Sequence, residues 1–206
     1  TSIYSGGIPS DLNLLSTTPL SWWREENGSW DGSKWTITDS GSGGNDAESI
    51  SMTLASRSTD VPKFNSKSLD FDGLSDKVTF SNVTASNEFT ISLWVKPTIF
   101  NNSGGSFPFG TETGNANFLK LQSASSAQIN LGGSLGSYNN SGSGDDITLN
   151  SWNHLLIVRD SSSNVVIYVN GVAWSTGVNN SNTLIINSIG RVINSSFGFS
   201  GGLDEF

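Results

Sequence analysis

The feature that most constrains the fold is a series of short alternating segments separated by turn residues. The clearest pair lies at residues 152–159 and 165–169, and the second segment runs directly into Asn170-Gly171. Two-residue hairpins favour Asn-Gly because both residues tolerate a positive φ. The sequence has no long apolar pattern of helical period. It also has no alternation of predicted strands with predicted helices. The pattern predicts an all-β chain and excludes a parallel β-α fold.

The predicted strands fall mainly in residues 67–206, where apolar and polar residues alternate. We expect this part to form one antiparallel β-sandwich of the jelly-roll type. Residues 1–66 have a different composition and are predicted to form an N-terminal arm with one or two short strands that docks on the sandwich. Residues 101–106 and 132–146 are predicted to be loops. The strand segments are 68–71, 77–80, 89–95, 117–121, 128–131, 152–159, 165–169, 172–175, 184–189 and 197–203.

Composition excludes several classes of function. The chain has 10 Lys and Arg against 18 Asp and Glu, and its basic residues are scattered singly. Nucleic-acid binding is therefore not expected, since it needs clustered cations. Cysteine is absent, so disulfides and thiolate chemistry are excluded. No run of 18 apolar residues occurs, so membrane insertion is not expected.

Four sequence pieces carry a resemblance to a known family. They read SLDFDGLSDKVTF from Ser68, FTISLWVKP from Phe89, WNHLLIVRDSSSNVVIYVNGV from Trp152 and GGLDEF from Gly201. In this order they resemble the laminin-G-like, concanavalin A-like jelly rolls. Family members usually continue for a strand beyond the Asp-Glu of the last piece. We therefore expect a short last strand whose edge is completed by further chain or by a neighbouring subunit.

A calcium ion is the cofactor that this resemblance implies. The family can hold a structural Ca²⁺ through the Asp of the last-strand motif, which is Asp204 here, and the loop carboxylate of Asp72 is a second candidate ligand. Oxygen donors of this kind are those that Ca²⁺ takes. The alternative is that Asp72 is simply a turn former.

The tryptophans of the N-terminal segment are the candidate contact residues. Trp22, Trp23, Trp30 and Trp35 cluster in sequence that is mostly unlike a strand. Two interpretations remain open, an anchor that docks the arm and an exposed surface that contacts a glycan or a partner.

The sequence does not favour an enzyme. The single histidine, His154, lies in a strand pattern and is predicted to be structural, and no G-x-S-x-G nucleophile motif occurs. No run of carboxylates along one strand face suits a glycosidase. The adjacent acids at 25–26 and 145–146 are interpreted as solvated loop charges. We therefore expect no catalytic residues.

A second resemblance concerns the N-terminus, where SIYSGGIPSDLNLLSTTPLSWWR is similar to laminin-G-like structural proteins of marine tailed phages. It implies a virion structural or decoration protein on the particle surface. Its partners would be other virion subunits and cell-surface glycans, contacted through loops 101–106 and 132–146. The alternative is a secreted bacterial carbohydrate-binding or adhesion module, and a third hypothesis is a polysaccharide lyase or glycanase. Fold alone does not decide among them.

Overall fold

Two large antiparallel sheets make up almost all of the regular structure. The computed structural model describes residues 4–5, 8–9, 18–62, 66–100, 106–112, 114, 116–140, 145–192 and 198–206. Within these residues the helical structure is a single 3-10 turn at Leu54–Ser56, and no helix is long and apolar enough to cross a membrane. The predicted all-β sandwich is confirmed.

One sheet has nine strands and the other has seven. In spatial order the first contains β13 (Ser134–Asn139), β12 (Ser126–Leu131), β11 (Phe118–Ser123), β10 (Ser106–Gly110), β17 (Leu184–Ile189), β8 (Lys77–Ala85), β5 (Ala47–Ile50), β4 (Trp35–Asp39) and β3 (Trp23–Trp30). The second contains β16 (Val172–Asn179), β15 (Asn164–Val169), β14 (Asn153–Arg159), β9 (Phe89–Pro97), β18 (Ser200–Asp204), β7 (Ser68–Asp72) and β6 (Arg57–Ser58). A separate ribbon pairs β1 (Tyr4–Ser5) with β2 (Ile8–Pro9).

The central hairpins form where the turn chemistry predicts them. Asn170 and Gly171 both have positive φ, 49° and 85°, and they connect β15 to β16 in the conformation that the strand twist prefers. Asp160 closes the preceding turn, because its Oδ1 accepts hydrogen bonds from the backbone amides of Ser162 (2.8 Å) and Asn164 (2.9 Å). These turns fix the register of β14, β15 and β16.

The core lies between the two sheets and reflects the alternation along each strand. In β9, Leu93 and Val95 face inward and are buried, whereas Trp94 and Lys96 face outward. Alternation of this kind is typical of an antiparallel sheet with one packed face. Fully buried side chains from both sheets include Leu93, Val95, Phe109, Leu119, Ile129, Leu155, Ile157, Trp174 and Phe199.

The N-terminal segment joins both sheets. Strands β3, β4 and β5 extend the nine-stranded sheet beyond β8, and β6 pairs with β7 at the edge of the other. Strand β3 also lies against β18 and β7. The division of the chain at residue 66 remains a prediction, but somewhat under half of the described part of 1–66 is strand.

The sequence underestimated the strand content. The described part of residues 1–66 contains six strands, β1 to β6, where one or two were predicted, and β10 was not predicted. Residues 23–30 form an eight-residue strand although they read as turn-rich. The predicted loop 132–146 contains the edge strand β13, which pairs with β12 along its whole length. Both are edge strands with many polar residues, so their pattern resembles a loop. Residues 141–144 of that loop and 101–105 of the other lie outside the described residues.

Candidate functional site

The four N-terminal tryptophans lie largely inside the protein. Trp22, Trp23 and Trp35 are buried. The Trp23 ring stacks on Phe206 at a centroid distance of 5.6 Å. Trp30 is half-buried and packs on Trp35 at 5.4 Å. Since stacking on a sugar needs an accessible ring face, this burial favours the docking interpretation over that of an exposed glycan contact.

The two candidate calcium ligands lie apart. The register places Asp72 opposite Ser200 at one end of β18 and Asp204 at the other end. Four residues of strand separate these ends, which is about 13 Å. Asp72 accepts hydrogen bonds from the amides of Leu74 (2.7 Å) and Ser75 (2.9 Å), as a turn former does. One ion therefore does not contact both carboxylates.

Asp204 has other acidic neighbours that the sequence did not reveal. Single carboxylate oxygens of Glu26, Asp204 and Glu205 lie within 4.8 Å of one another. Glu25 is buried beside Asp204, so the interpretation of residues 25–26 as solvated loop charges is wrong. Strand β3 places these acids against β18, and spacing in the sequence gave no signal of that contact. The acids at 145–146 are exposed, as that interpretation expects.

Two acids beside Asp204, Glu25 and Glu205, have raised pKa values. Burial, and then the neighbouring Asp204 carboxylate, raise the pKa of Glu25 well above its usual value. Burial raises the pKa of Glu205 to about 7, although the Trp22 indole N–H, 2.5 Å from its Oε2, acts in the opposite direction. The Oε2 atom of Glu26 is buried and has no hydrogen-bond partner among the residues that the structure describes. A cluster of hard oxygen donors with such an orphaned atom fits a divalent cation of the calcium type.

A second polar feature is a cleft on the outer face of the seven-stranded sheet. It has a volume of about 190 Å³. The register aligns Lys96 of β9, Gly202 of β18 and Asp70 of β7 in one row across neighbouring strands. Trp152 and Asp60 also line this cleft. We call this feature the Trp152 cleft.

Glycine allows the tryptophan to lie across the sheet. A Cβ atom on Gly202 would meet Cη2 of Trp152 at 2.7 Å and Cζ2 at 2.9 Å, which is closer than atoms of this kind pack. The indole Nε1 donates a hydrogen bond to Oδ1 of Asp60 at 3.1 Å. The ring is only partly buried. It therefore rests on the glycine and presents an aromatic surface at the cleft.

The two carboxylates of the Trp152 cleft have different surroundings. Asp60 pairs with the Lys96 ammonium, and this contact is the largest cause of its lowered pKa. Desolvation raises the pKa of Asp70, and the Asp60 carboxylate adds to the effect. Asp70 is exposed, and no side chain or backbone group in the described part of the chain donates a hydrogen bond to its carboxylate. Its oxygens are thus available acceptors beside an aromatic ring.

His154 lies on the outer face of the seven-stranded sheet, opposite Trp94 of β9, and outside the Trp152 cleft. It is 2% exposed, and burial lowers its pKa to about 4. Its Nε2 lies 2.9 Å from the Ser92 hydroxyl, and its ring packs beside Trp94. A neutral, buried imidazole held in this way suits the structural role that the sequence predicts.

This geometry defines a concanavalin A-like sandwich with polar features on one sheet face. Residues 71–206 match the family model of the concanavalin A-like lectin/glucanases superfamily, and the chain belongs to that family. A search of curated protein sequences finds no significant match.

Solved structures share the fold at low sequence identity. Domain 4 of AbnA, an extracellular GH43 arabinanase from Geobacillus stearothermophilus, was solved with arabinotriose. It superposes with a TM-score of 0.59 and 19% identity, over 90% of this chain and 89% of that domain. The binding domain of Paraclostridial Mosquitocidal Protein 1 superposes with a TM-score of 0.56 and 15% identity, over 92% of this chain and 48% of that one. The binding domain of botulinum neurotoxin serotype G superposes with a TM-score of 0.54 and 13% identity, over 91% of this chain and 46% of that one. This chain thus spans about half of each toxin domain.

Proposed function

We propose that this protein is a non-enzymatic glycan-binding module that takes a neutral sugar in the Trp152 cleft. The observation that carries the proposal is an indole lying on Gly202 beside the exposed carboxylate of Asp70. Pockets that bind small molecules combine apolar or aromatic surface with a few polar groups that fix orientation. The hydroxyl groups of a sugar ring stacked on Trp152 would donate hydrogen bonds to the carboxylate of Asp70.

Size and charge define the class of glycan. The cleft volume of about 190 Å³ is below the ~300–1,000 Å³ of pockets for drug-sized ligands, so it suits one sugar ring of a chain. Its charged groups are two carboxylates and one ammonium, and the protein has a net charge of −8. Repulsion therefore disfavours acidic polysaccharides, and the proposed ligand is a neutral oligosaccharide.

The comparisons support a binding role for this fold. The AbnA domain was solved with arabinotriose, and two further similar structures are binding domains. Their identities are too low to transfer a ligand, so the proposal rests on the cleft. A hydrolytic role is less favoured because the Lys96 ammonium and the Trp152 indole both engage Asp60. A carboxylate held in this way is a poor nucleophile or base.

The proposed setting is outside the cell, on a secreted polypeptide or on a particle. The AbnA neighbour belongs to an extracellular enzyme, which favours the secreted carbohydrate-binding alternative. Display on the surface of a tailed phage, with other virion subunits as partners, remains a prediction that is compatible with glycan adhesion. We also propose that Glu26, Asp204 and Glu205 hold the structural Ca²⁺ that the family implies.

The test is a titration with defined oligosaccharides. The neutral probes are arabinotriose, cellotriose, chitotriose and mannotriose, and 3′-sialyllactose is the acidic probe. Calorimetry should detect saturable binding of at least one neutral probe and none of sialyllactose. Trp152→Ala should weaken this binding by about 30-fold. Tyr168→Ala, an aromatic change on the same sheet face but outside the cleft, should leave it unchanged.

The same samples decide between binding and catalysis. If incubation releases reducing ends from the neutral probes, the module is an enzyme and the proposal is wrong. If no neutral probe binds, or if Trp152→Ala binds as well as the wild type, the cleft is not the site.

A further inference from the structure

A small apolar surface continues the Trp152 cleft at the end of β9. The side chain of Ile99 is 56% exposed and that of Leu149 is 37% exposed. The chain neighbours of these two residues, Thr98 and Asn150, both line the cleft. We call these four residues the Asn150 shelf. The shelf is therefore continuous with the surface on which a sugar ring would stack.

A well-anchored turn holds the shelf in place. The Asn150 amide donates a hydrogen bond to the Pro97 carbonyl at 2.8 Å, which ties the turn to the end of β9. The buried side chain of Asn153 accepts a hydrogen bond from the Thr148 amide at 3.0 Å. It also donates to the carbonyls of Thr148 (3.0 Å) and Ser151 (2.7 Å). A surface that is ordered in advance loses less conformational entropy when a ligand binds.

The side chain of Asn150 is an available polar group on this turn. Its backbone has a φ of 58°, in the left-handed region for which glycine is the usual residue. Asparagine is one of the few other residues that adopt this conformation readily, and it adds a carboxamide. Asn150 is exposed, and within the described part of the chain no group hydrogen-bonds to that carboxamide. It can therefore act both as a donor and as an acceptor.

Asn150 and Asp70 lie at opposite ends of the Trp152 cleft. Asn150 bonds to β9 on the side where β14 pairs, whereas Asp70 lies on β7, and β18 separates β7 from β9 on the other side. Three strand spacings thus separate the two residues across the sheet, which is about 14 Å. This span is longer than one sugar ring. A glycan that contacts both residues therefore contains at least two rings.

We propose that the Asn150 shelf is a second sugar subsite, which holds the neighbour of the ring that stacks on Trp152. This inference rests on the proposed function. The aliphatic surface of Ile99 and Leu149 would contact the apolar face of the second ring, and the Asn150 carboxamide would exchange hydrogen bonds with its hydroxyl groups. The glycan would lie across the strands, from β7 towards β14. The recognised unit is thus a neutral disaccharide within a chain.

The size and charge of the shelf favour a sugar over a protein partner. Two aliphatic side chains and one carboxamide offer far less area than the ~1,200–2,000 Å² that a stable protein–protein interface buries. None of the four shelf residues is ionisable, so the shelf adds no charge to the cleft. Its continuity with the cleft lets one neutral glycan cover both surfaces.

An NMR titration with glycans of increasing length tests the subsite. The probes are the mono-, di- and trisaccharides of the arabinan, cellulose, chitin and mannan series. In a series that binds, the monosaccharide should shift the Trp152 indole signal alone, and the disaccharide should also shift the Asn150 carboxamide. We expect the disaccharide to bind about tenfold more tightly than the monosaccharide, and the trisaccharide to add about threefold or less.

Three variants isolate the contribution of the shelf. Asn150→Gly suits the left-handed backbone and removes only the carboxamide. It should weaken disaccharide binding by about three- to tenfold, the usual value of a hydrogen bond, and change monosaccharide binding by less than about twofold. Ile99→Ser should have the same selective effect. Leu135→Ser, the matched control, removes a similarly exposed side chain (53%) from β13 of the other sheet and should change neither.

The outcomes separate this inference from the proposed function. The shelf is not a subsite if a disaccharide shifts the Trp152 indole with saturation yet binds equally to the wild type, Asn150→Gly and Ile99→Ser; glycan binding itself then stands. Equal affinity for the mono- and disaccharide, or equal losses of both in Asn150→Gly, also overturns the inference. If no probe shifts the Trp152 indole, the proposed function fails and the subsite fails with it.

Discussion

Replacing Gly202 by alanine tests whether the position of the Trp152 ring creates the glycan site. The new Cβ would lie 2.7 Å from Cη2 of Trp152, whereas ordinary contacts begin at 3.4 Å. The ring must therefore move by about 0.7 Å or more. Gly202 is not among the glycines with positive φ, so alanine suits the backbone there. The substitution thus acts on the ring without straining the strand.

The size of the effect depends on the contact that is lost. Truncating an aromatic residue that dominates a binding site typically costs about 2 kcal/mol or more, which is about 30-fold in affinity. A gap of 0.5–1 Å forfeits about a quarter to a half of a dispersion contact. Gly202→Ala should therefore weaken binding by about two- to fivefold, and Trp152→Ala by about 30-fold. The stability of Gly202→Ala should change little. Alanine in place of glycine lowers the conformational entropy of the unfolded chain, which stabilises the fold by ~0.4–1 kcal/mol and offsets part of the packing that is lost.

Calorimetry with the best neutral trisaccharide and thermal unfolding of both variants provide the assay. We expect the graded loss of affinity with a Tm within about 3 °C of the wild type for Gly202→Ala. Wild-type affinity in Gly202→Ala would refute the reasoning. A Tm lower by about 10 °C would instead show that the indole serves mainly to hold the Asp60 loop.

Three further predictions concern stability. The raised pKa of Glu205, about 7, means that the folded state binds its proton more tightly than the unfolded state. The contribution of this proton to stability is full below about pH 4.5 and falls by about 3 kcal/mol as the pH rises to about 8. Glu205→Gln should flatten this slope in urea titrations with EDTA. Calcium at about a hundredfold its Kd should raise the Tm of the wild type and of Asp72→Asn by about 5–10 °C. It should not raise the Tm of Asp204→Asn, which lacks an assigned ligand. Equal shifts in both variants would contradict the assigned ligands. Arg159→Leu should lower the free energy of unfolding in urea by about 3–5 kcal/mol, because the buried guanidinium donates hydrogen bonds to the Asn87 carbonyl and to other loop carbonyls. A loss under about 1 kcal/mol would show that water takes the place of the guanidinium.

The fold could be predicted from local chemistry. Two signals that involve only residues close in the sequence predicted it, the Asn170-Gly171 turn and the alternation along β9 and β14. The structure shows both features. Strand β3 was missed as a full strand because residues 23–30 lie at a sheet edge and include Glu25, Glu26 and a glycine. Such a segment gains its strand conformation from pairing with β4 and from packing on β18.

The site depends on contacts between distant parts of the chain. The Trp152 cleft brings together Asp60, Asp70, Lys96, Trp152 and Gly202, which come from five separate segments. The register of β18 between β7 and β9 places Asp70, Gly202 and Lys96 side by side. Sequence reasoning therefore considered the clustered N-terminal tryptophans for contact, because proximity along the chain was the available signal.

The most direct test of the glycan-binding account is an NMR titration that follows the indole N–H signals of the tryptophans. The account predicts that a neutral trisaccharide shifts the Trp152 indole and the Gly202 amide first, with saturation, while 3′-sialyllactose shifts neither. It would be contradicted if no neutral probe produced a saturable shift, or if the largest shifts fell on Trp22 or Trp23, away from the cleft.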